Sequence, residues 1–169
     1  RASTTLGETL WQQMLKEKLD LEISDADEES LKLSRLVWKL GSKLLITTNV
    51  DRVLQWTCPN PQEIRLLDME KVEIGELLKE KEVKYPTALY LHGRIHNKRN
   101  VVFTPEQYKS FYEEQNNKAK LQGLINLLTN HTTLFIGFSM DDEYFLKQLN
   151  QIDETYESGA NAFYILLPE

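Results

Sequence analysis

Polar side chains cluster at positions 47–51, directly after the apolar run Leu44-Leu45-Ile46. Two hydroxyls, an amide and a carboxylate stand together there, on Thr47, Thr48, Asn49 and Asp51. An amide can orient a water molecule or a ligand hydroxyl, and a carboxylate can accept a hydrogen bond from such a hydroxyl. The same composition also suits a strand followed by an Asn/Asp helix cap, and this stretch alone leaves both interpretations open.

A histidine follows a second apolar segment, Thr87–Leu91. Histidine titrates near neutral pH, so His92 is a candidate general base, with a turn histidine before Gly93 as the alternative. A third apolar segment, Thr132–Ile136, ends in another group of polar and glycine residues. That group contains Gly137, Phe138, Ser139, Asp141 and Asp142.

The spacing of apolar residues predicts the elements that position these groups. It predicts strands at 43–48, 63–67, 87–91, 101–103, 132–136 and 162–167, and helices at about 9–20, 31–40, 74–81, 105–115, 118–129 and 141–153. This alternation indicates an α/β fold with three layers and a mostly parallel sheet. The carboxyl ends of parallel strands share one edge, where open α/β sheets bind ligands. We therefore expect Thr47, Asn49, His92, Gly137 and Ser139 to line one pocket.

The composition limits the class of protein. A chain of 169 residues with 41% hydrophobic residues predicts one domain, residues 1–169, with a real core. The net charge of −6 argues against direct binding of duplex nucleic acid, and no apolar run approaches the ~20 residues of a membrane helix. The single cysteine, Cys58, excludes an internal disulfide and indicates a cytoplasmic setting. The basic loop 94–100 is interpreted as a solvated turn, with phosphate contact as the alternative.

The motifs taken in order resemble a known family. TTN-x-D at 47–51, LHG at 91–93 and FIGFS-x-DD at 135–142 are similar to motifs of the sirtuin-like NAD-hydrolase domains of bacterial anti-phage defence proteins. The resemblance covers roughly residues 30–167 and includes the segment 101–104 followed by Tyr108. It implies a Rossmann-like fold, NAD as the substrate, no metal, and cleavage to nicotinamide and ADP-ribose.

The resemblance also implies roles for individual residues. His92 would accept a proton from a ribose hydroxyl while positive charge builds on the ribose carbon, and Asn49 would orient the attacking water. Asp51 would hold a ribose hydroxyl or fix the loop of Asn49. Because Asn49 and His92 follow strand ends, we expect their substitution to leave the fold intact. The NAD-binding positions that it implies are Thr47, Thr48, Asp51, Gly93, Gly137, Phe138, Ser139 and Asp141.

The sequence departs from the family in three places. The Gly-Ala-Gly phosphate loop and the strand before it have no counterpart, and Arg1-Ala2-Ser3 resembles the residues that follow that loop. Val50 stands where the family usually has an aromatic residue. The cysteine pairs of the sirtuin deacetylase zinc module are also missing, which favours hydrolysis over deacetylation.

The missing loop leads to two further expectations. We expect the domain to be N-terminally incomplete, so that these 169 residues alone hydrolyse NAD poorly. We also expect a homo-oligomer or a companion defence subunit to stabilise it. Two alternatives stay open: a module that binds NAD or ADP-ribose without cleaving it, and an assembly domain of a larger defence protein.

Overall fold

The computed structural model describes residues 8–97, 101–138, 141–156, 159 and 161–166. Within these ranges, helices and strands alternate along the chain. The helices are α1 (Glu8–Leu19), α2 (Glu28–Lys39), α3 (Val53–Thr57), α4 (Lys71–Lys79), α5 (Pro105–Glu113), α6 (Lys118–Asn130) and α7 (Glu143–Tyr156). The strands are β1 (Leu44–Thr47), β2 (Arg65–Asp68), β3 (Thr87–Tyr90), β4 (Thr133–Ile136) and β5 (Phe163–Leu166).

The strands form two parallel sheets. One sheet has the order β1-β3-β2, and the other pairs β4 with β5. In the larger sheet Tyr90 lies opposite Thr47 on one side and opposite Asp68 on the other. The carboxyl ends of these three strands therefore meet at one edge. The prediction of an α/β, Rossmann-like fold with parallel strands is confirmed.

Two details of the sequence prediction are corrected by the structure. Residues 101–103 do not form a strand: the N–H of Val102 donates to the carbonyl of His92 at 2.9 Å, but no ladder of strand pairing follows. In addition, β4 does not join the sheet of β1 and β3. Among the described residues β1 pairs only with β3, and β4 pairs only with β5.

One hydrophobic core joins the two sheets and their helices. The central strand β3 is covered on both faces, and Ala88 and Leu89 are fully buried. Such continuous burial accounts for its uninterrupted apolar sequence, and each buried leucine contributes about 1.5–3 kcal/mol. Further members of the core come from α4, α6, α7 and β4: Ile74, Leu77, Leu121, Leu124, Ile125, Leu128, Phe135, Phe145 and Ile152.

The start of α5 is fixed by its own sequence. The side chain of Thr104 accepts a hydrogen bond from the N–H of Gln107 at 3.3 Å, and Gln107 Oε1 accepts one from the N–H of Thr104 at 2.9 Å. This capping box sets the point at which the helix begins. Tyr108 and Tyr112 lie four residues apart on α5, so both side chains are on one helix face. That face packs over the end of β3.

Candidate functional site

The turn after β1 is held by two of the polar side chains singled out from the sequence. Thr47 Oγ1 accepts a hydrogen bond from the N–H of Asn49 at 3.0 Å, and Asp51 Oδ1 accepts one from the N–H of Val53 at 2.9 Å. Asp51 therefore stabilises the turn into α3 as an Asx turn, whereas the N-cap residue of α3 is Arg52, whose side chain makes no capping hydrogen bond. The side-chain amide of Asn49 is exposed and, unlike the backbone N–H, has no hydrogen-bond partner among the described residues. Asn49 is consequently available to a ligand.

A cavity of about 320 Å³ opens beside this turn, and we call it the β1 cavity. It contains three of the side chains expected at the site and one tyrosine from α5. Its lining consists of Leu19, Thr48, Asn49, Val50, Asp51, Val102, Phe103 and Tyr108. An exposed amide, a hydroxyl and a carboxylate at one mouth suit a ligand that carries several hydroxyl groups.

His92 lies behind this cavity, in the protein core. It is 1% exposed, its Nδ1 lies 3.1 Å from the hydroxyl of Tyr108, and its Nε2 lies 3.0 Å from the hydroxyl of Tyr112. The ring of Phe111 packs edge-on at 5.8 Å. The expectation that His92 lies outside the core is therefore wrong, and this burial removes the reason for expecting that its substitution leaves the fold intact. The cause is α5, which covers the end of β3.

Burial decides the protonation of this cluster. It lowers the pKa of His92, and the carboxylate of Asp142 and the carbonyl of Thr48 oppose that shift. Burial also raises the pKa of Tyr112 and of Tyr108, and Asp142 adds to both shifts. Near neutral pH the cluster is therefore an uncharged imidazole between two uncharged phenols.

The glycine of the second motif does not line the β1 cavity. Gly93 lines another cavity, of about 360 Å³, together with Leu91, Asp68 and residues of α5. Its φ of 77° lies in the left-handed region, which explains why glycine follows His92. His92 itself lines neither of the two cavities.

The third motif follows β4 in the second sheet. Gly137 has a φ of 62°, and Phe138 packs against Phe145 at 5.2 Å between ring centroids. Asp141 is exposed, and Ser139 lies outside the described residues. Gly137 and Phe138 line neither cavity. In the described residues the motif therefore contributes packing, a glycine turn and Asp142, whose Oδ1 accepts a hydrogen bond from the N–H of Phe145 at 3.0 Å.

Sequence reasoning missed three residues of the cluster: Tyr112, Asp142 as an electrostatic neighbour of His92, and Tyr108 as its hydrogen-bond partner. The i, i+4 spacing of the two tyrosines after a Thr-Pro helix start was the available signal. The sequence also did not predict the ion pair of Arg94. Instead of standing in a solvated loop, this side chain pairs with the buried Asp68.

The same residues fall within a family match. A family model described as a SIR2-like domain matches residues 43–169, which includes Asn49, His92 and Tyr108. The chain belongs to the SIR2-like family. The sirtuin-like resemblance is therefore confirmed at the level of the family, whose members include NAD-dependent enzymes. No curated protein matches the chain well enough to count as a relative.

Within the described ranges, no three His, Cys, Asp or Glu side chains come together in a way that could hold a metal ion. None of the described helices has the length and apolar character needed to cross a membrane.

Proposed function

We propose that this SIR2-like domain hydrolyses NAD to nicotinamide and ADP-ribose, and that it depletes NAD during anti-phage defence in the cytoplasm. The observation that carries the proposal is the link between His92 and the β1 cavity. An uncharged histidine contacts Tyr108, and Tyr108 lines the same cavity as the free amide of Asn49. An amide in the cavity and a base that reaches the cavity through one tyrosine hydroxyl are groups that cleavage of a glycosidic bond to ribose can use.

Each group has a role in this reaction. Positive charge builds on the ribose carbon as nicotinamide leaves, and a base that takes a ribose hydroxyl proton stabilises that charge. His92 is the base, because its lowered pKa keeps it uncharged at neutral pH. Asn49 orients the attacking water, and Thr48 offers a hydroxyl to the ribose. NAD is the substrate, and no metal takes part.

A second candidate is a module that binds NAD or ADP-ribose without cleaving it. One observation favours it: both ring nitrogens of His92 are already engaged by tyrosine hydroxyls. A protein of this kind would bind ADP-ribose and release no nicotinamide.

The test is to incubate the full-length protein with NAD and measure nicotinamide by chromatography, because we expect these 169 residues alone to hydrolyse NAD poorly. We expect release by the wild type and its loss in His92→Gln. His96→Gln is the matched control, because this histidine is exposed and lines neither cavity. Calorimetric titration with ADP-ribose separates the alternatives. Binding of ADP-ribose without nicotinamide release would indicate the binding module. Absence of both binding and release would indicate an assembly domain.

The assay should be run in the assembled state. We propose that the domain acts as a homo-oligomer or with a companion defence subunit, so the oligomeric state should be measured by light scattering in the same buffer. A turnover rate per mole of protein that rises with protein concentration would support self-assembly, because association follows mass action.

A further inference from the structure

The hydroxyl of Tyr108 stands between the β1 cavity and His92. Tyr108 lines the cavity with Asn49, and its oxygen lies 3.1 Å from Nδ1 of His92. His92 is 1% exposed and is not part of the cavity wall. The Tyr108 oxygen is therefore placed to pass a proton from a ligand in the β1 cavity to His92.

The two tyrosines restrict how protons are arranged around the ring. An uncharged imidazole has one N–H donor and one lone pair, whereas His92 has a hydroxyl at each nitrogen. One tyrosine must donate and the other must accept. If Tyr108 donates to Nδ1, then Nε2–H donates to the oxygen of Tyr112. The Tyr108 oxygen then keeps a lone pair for a ligand hydroxyl.

We infer that Tyr108 is a catalytic residue that carries a proton from a ribose hydroxyl of the substrate to Nδ1 of His92. The inference rests on the proposed hydrolysis of NAD. The Tyr108 oxygen takes the ribose proton as its own proton moves to Nδ1. Two O–H bonds break, and one O–H bond and one N–H bond form. The ribose oxygen keeps the electron pair, and the imidazolium carries the positive charge.

The reverse transfer completes the cycle. Nicotinamide leaves the ribose carbon, and a water molecule adds there. The added water loses a proton to solvent. Tyr108 then returns its proton to the ribose oxygen as Nδ1 of His92 gives a proton back to Tyr108. Neither tyrosine ionises, because burial raises the pKa of both. The groups that favour the transient imidazolium are the carboxylate of Asp142 and the carbonyl of Thr48, and burial opposes it.

The first test compares two Tyr→Phe variants in the same aromatic cluster. Tyr108→Phe should lower nicotinamide release by about 100-fold or more, the usual range for loss of a proton-transfer group. Tyr144→Phe is the matched control. Its ring lies 6.4 Å from that of Tyr108, and its hydroxyl makes no hydrogen bond to the described residues. Tyr144 is half-buried and stacks on Tyr112, and the substitution keeps its ring, so we expect turnover to stay within about twofold of wild type. Wild-type turnover in Tyr108→Phe would overturn the inference.

The second test needs no NAD cleavage. Nitrogen-15 NMR of the substrate-free protein reports which nitrogen of His92 carries the proton, and His92→Gln assigns the signal among the three histidines of the chain. The inference requires the Nε2–H tautomer, and it requires the Nδ1 resonance to move in Tyr108→Phe but not in Tyr144→Phe. An Nδ1–H tautomer would overturn it. A wild-type protein that releases no nicotinamide would instead contradict the proposed hydrolysis, and the tautomer would still decide the proton arrangement.

Discussion

Arg94 binds Asp68 through two hydrogen bonds, from Nε to Oδ1 at 2.8 Å and from Nη2 to Oδ2 at 3.2 Å. Asn97 adds a third bond to Oδ2 at 2.9 Å. Asp68 ends β2 and is 2% exposed, whereas Arg94 and Asn97 belong to the loop after His92. This contact therefore ties the loop that follows the candidate base to the neighbouring strand.

We predict that Asp68→Ala lowers the free energy of unfolding by about 3 kcal/mol, because it leaves the guanidinium of Arg94 without its anion in a mostly buried place. Urea denaturation measures the change. Lys32→Ala is the control, since it breaks the exposed pair with Glu29 and should cost under about 1 kcal/mol. Equal effects of the two variants would show that the Arg94–Asp68 pair adds nothing to stability.

The close packing of α4 against α6 gives a second prediction. A Cβ at Gly123 would collide with the side chain of Ile74, whereas a Cβ at Gly75 would meet no atom. Gly123→Ala should therefore destabilise the protein by about 1–3 kcal/mol, as overpacking does. Gly75→Ala should stabilise it by up to about 1 kcal/mol through helix propensity. Thermal unfolding of both variants measures whether their stability changes have opposite signs. A Gly123→Ala variant more stable than wild type would contradict the close approach of α4 to α6.

Most of the fold was predictable from the sequence because apolar spacing is a local property. The spacing located β1, β3 and β4 to within a residue or two, and also the helix after Thr104. It could not give the division into two sheets, because strand pairing depends on tertiary packing. Residues 101–103 misled the prediction for the same reason: their apolar composition suits a strand, but their backbone runs along the loop after β3.

The candidate site was predictable only where the chain itself brings residues together. Thr48, Asn49 and Asp51 share a cavity because one turn carries them all. The burial of His92 depends on how α5 crosses the end of β3, and no local pattern encodes that crossing. The spacing of Tyr108 and Tyr112 predicted a helix face but not what that face covers.

The burial of His92 predicts a pH dependence of stability. Its pKa in the folded protein is lowered by burial, so the unfolded chain, with a pKa of about 6.5, binds the proton more tightly. The contribution of uncharged His92 to the free energy of unfolding should be fully present above about pH 6.5. It should fall as the pH drops below that value, by at most about 1.4 kcal/mol per pH unit. Denaturation at pH 7.5 and at pH 5.5 measures the slope. His92→Gln should show a shallower slope, and equal slopes would exclude His92 as the source.

Replacement of His92 by alanine should also unfold part of the population. The substitution removes a buried ring and leaves the hydroxyls of Tyr108 and Tyr112 without their partner. We expect a loss of about 2–4 kcal/mol from the cavity and the unpaired polar groups together. Guanidinium denaturation checks this loss, and a change below about 0.5 kcal/mol would contradict the buried position. Activity assays should therefore use His92→Gln with a measured fold.

Asn49 should behave in the opposite way, with a large effect on turnover and a small effect on stability. Its side-chain amide is exposed and makes no hydrogen bond to the described residues, so Asn49→Ala should change the free energy of unfolding by less than about 0.5 kcal/mol. If the amide orients the attacking water, nicotinamide release should fall by about 100-fold or more. Asn150→Ala, at an exposed position of α7 outside both cavities, is the control and should keep wild-type turnover. Normal turnover in Asn49→Ala, with unchanged stability, would remove Asn49 from the proposed reaction and leave His92 and Tyr108 to be tested alone.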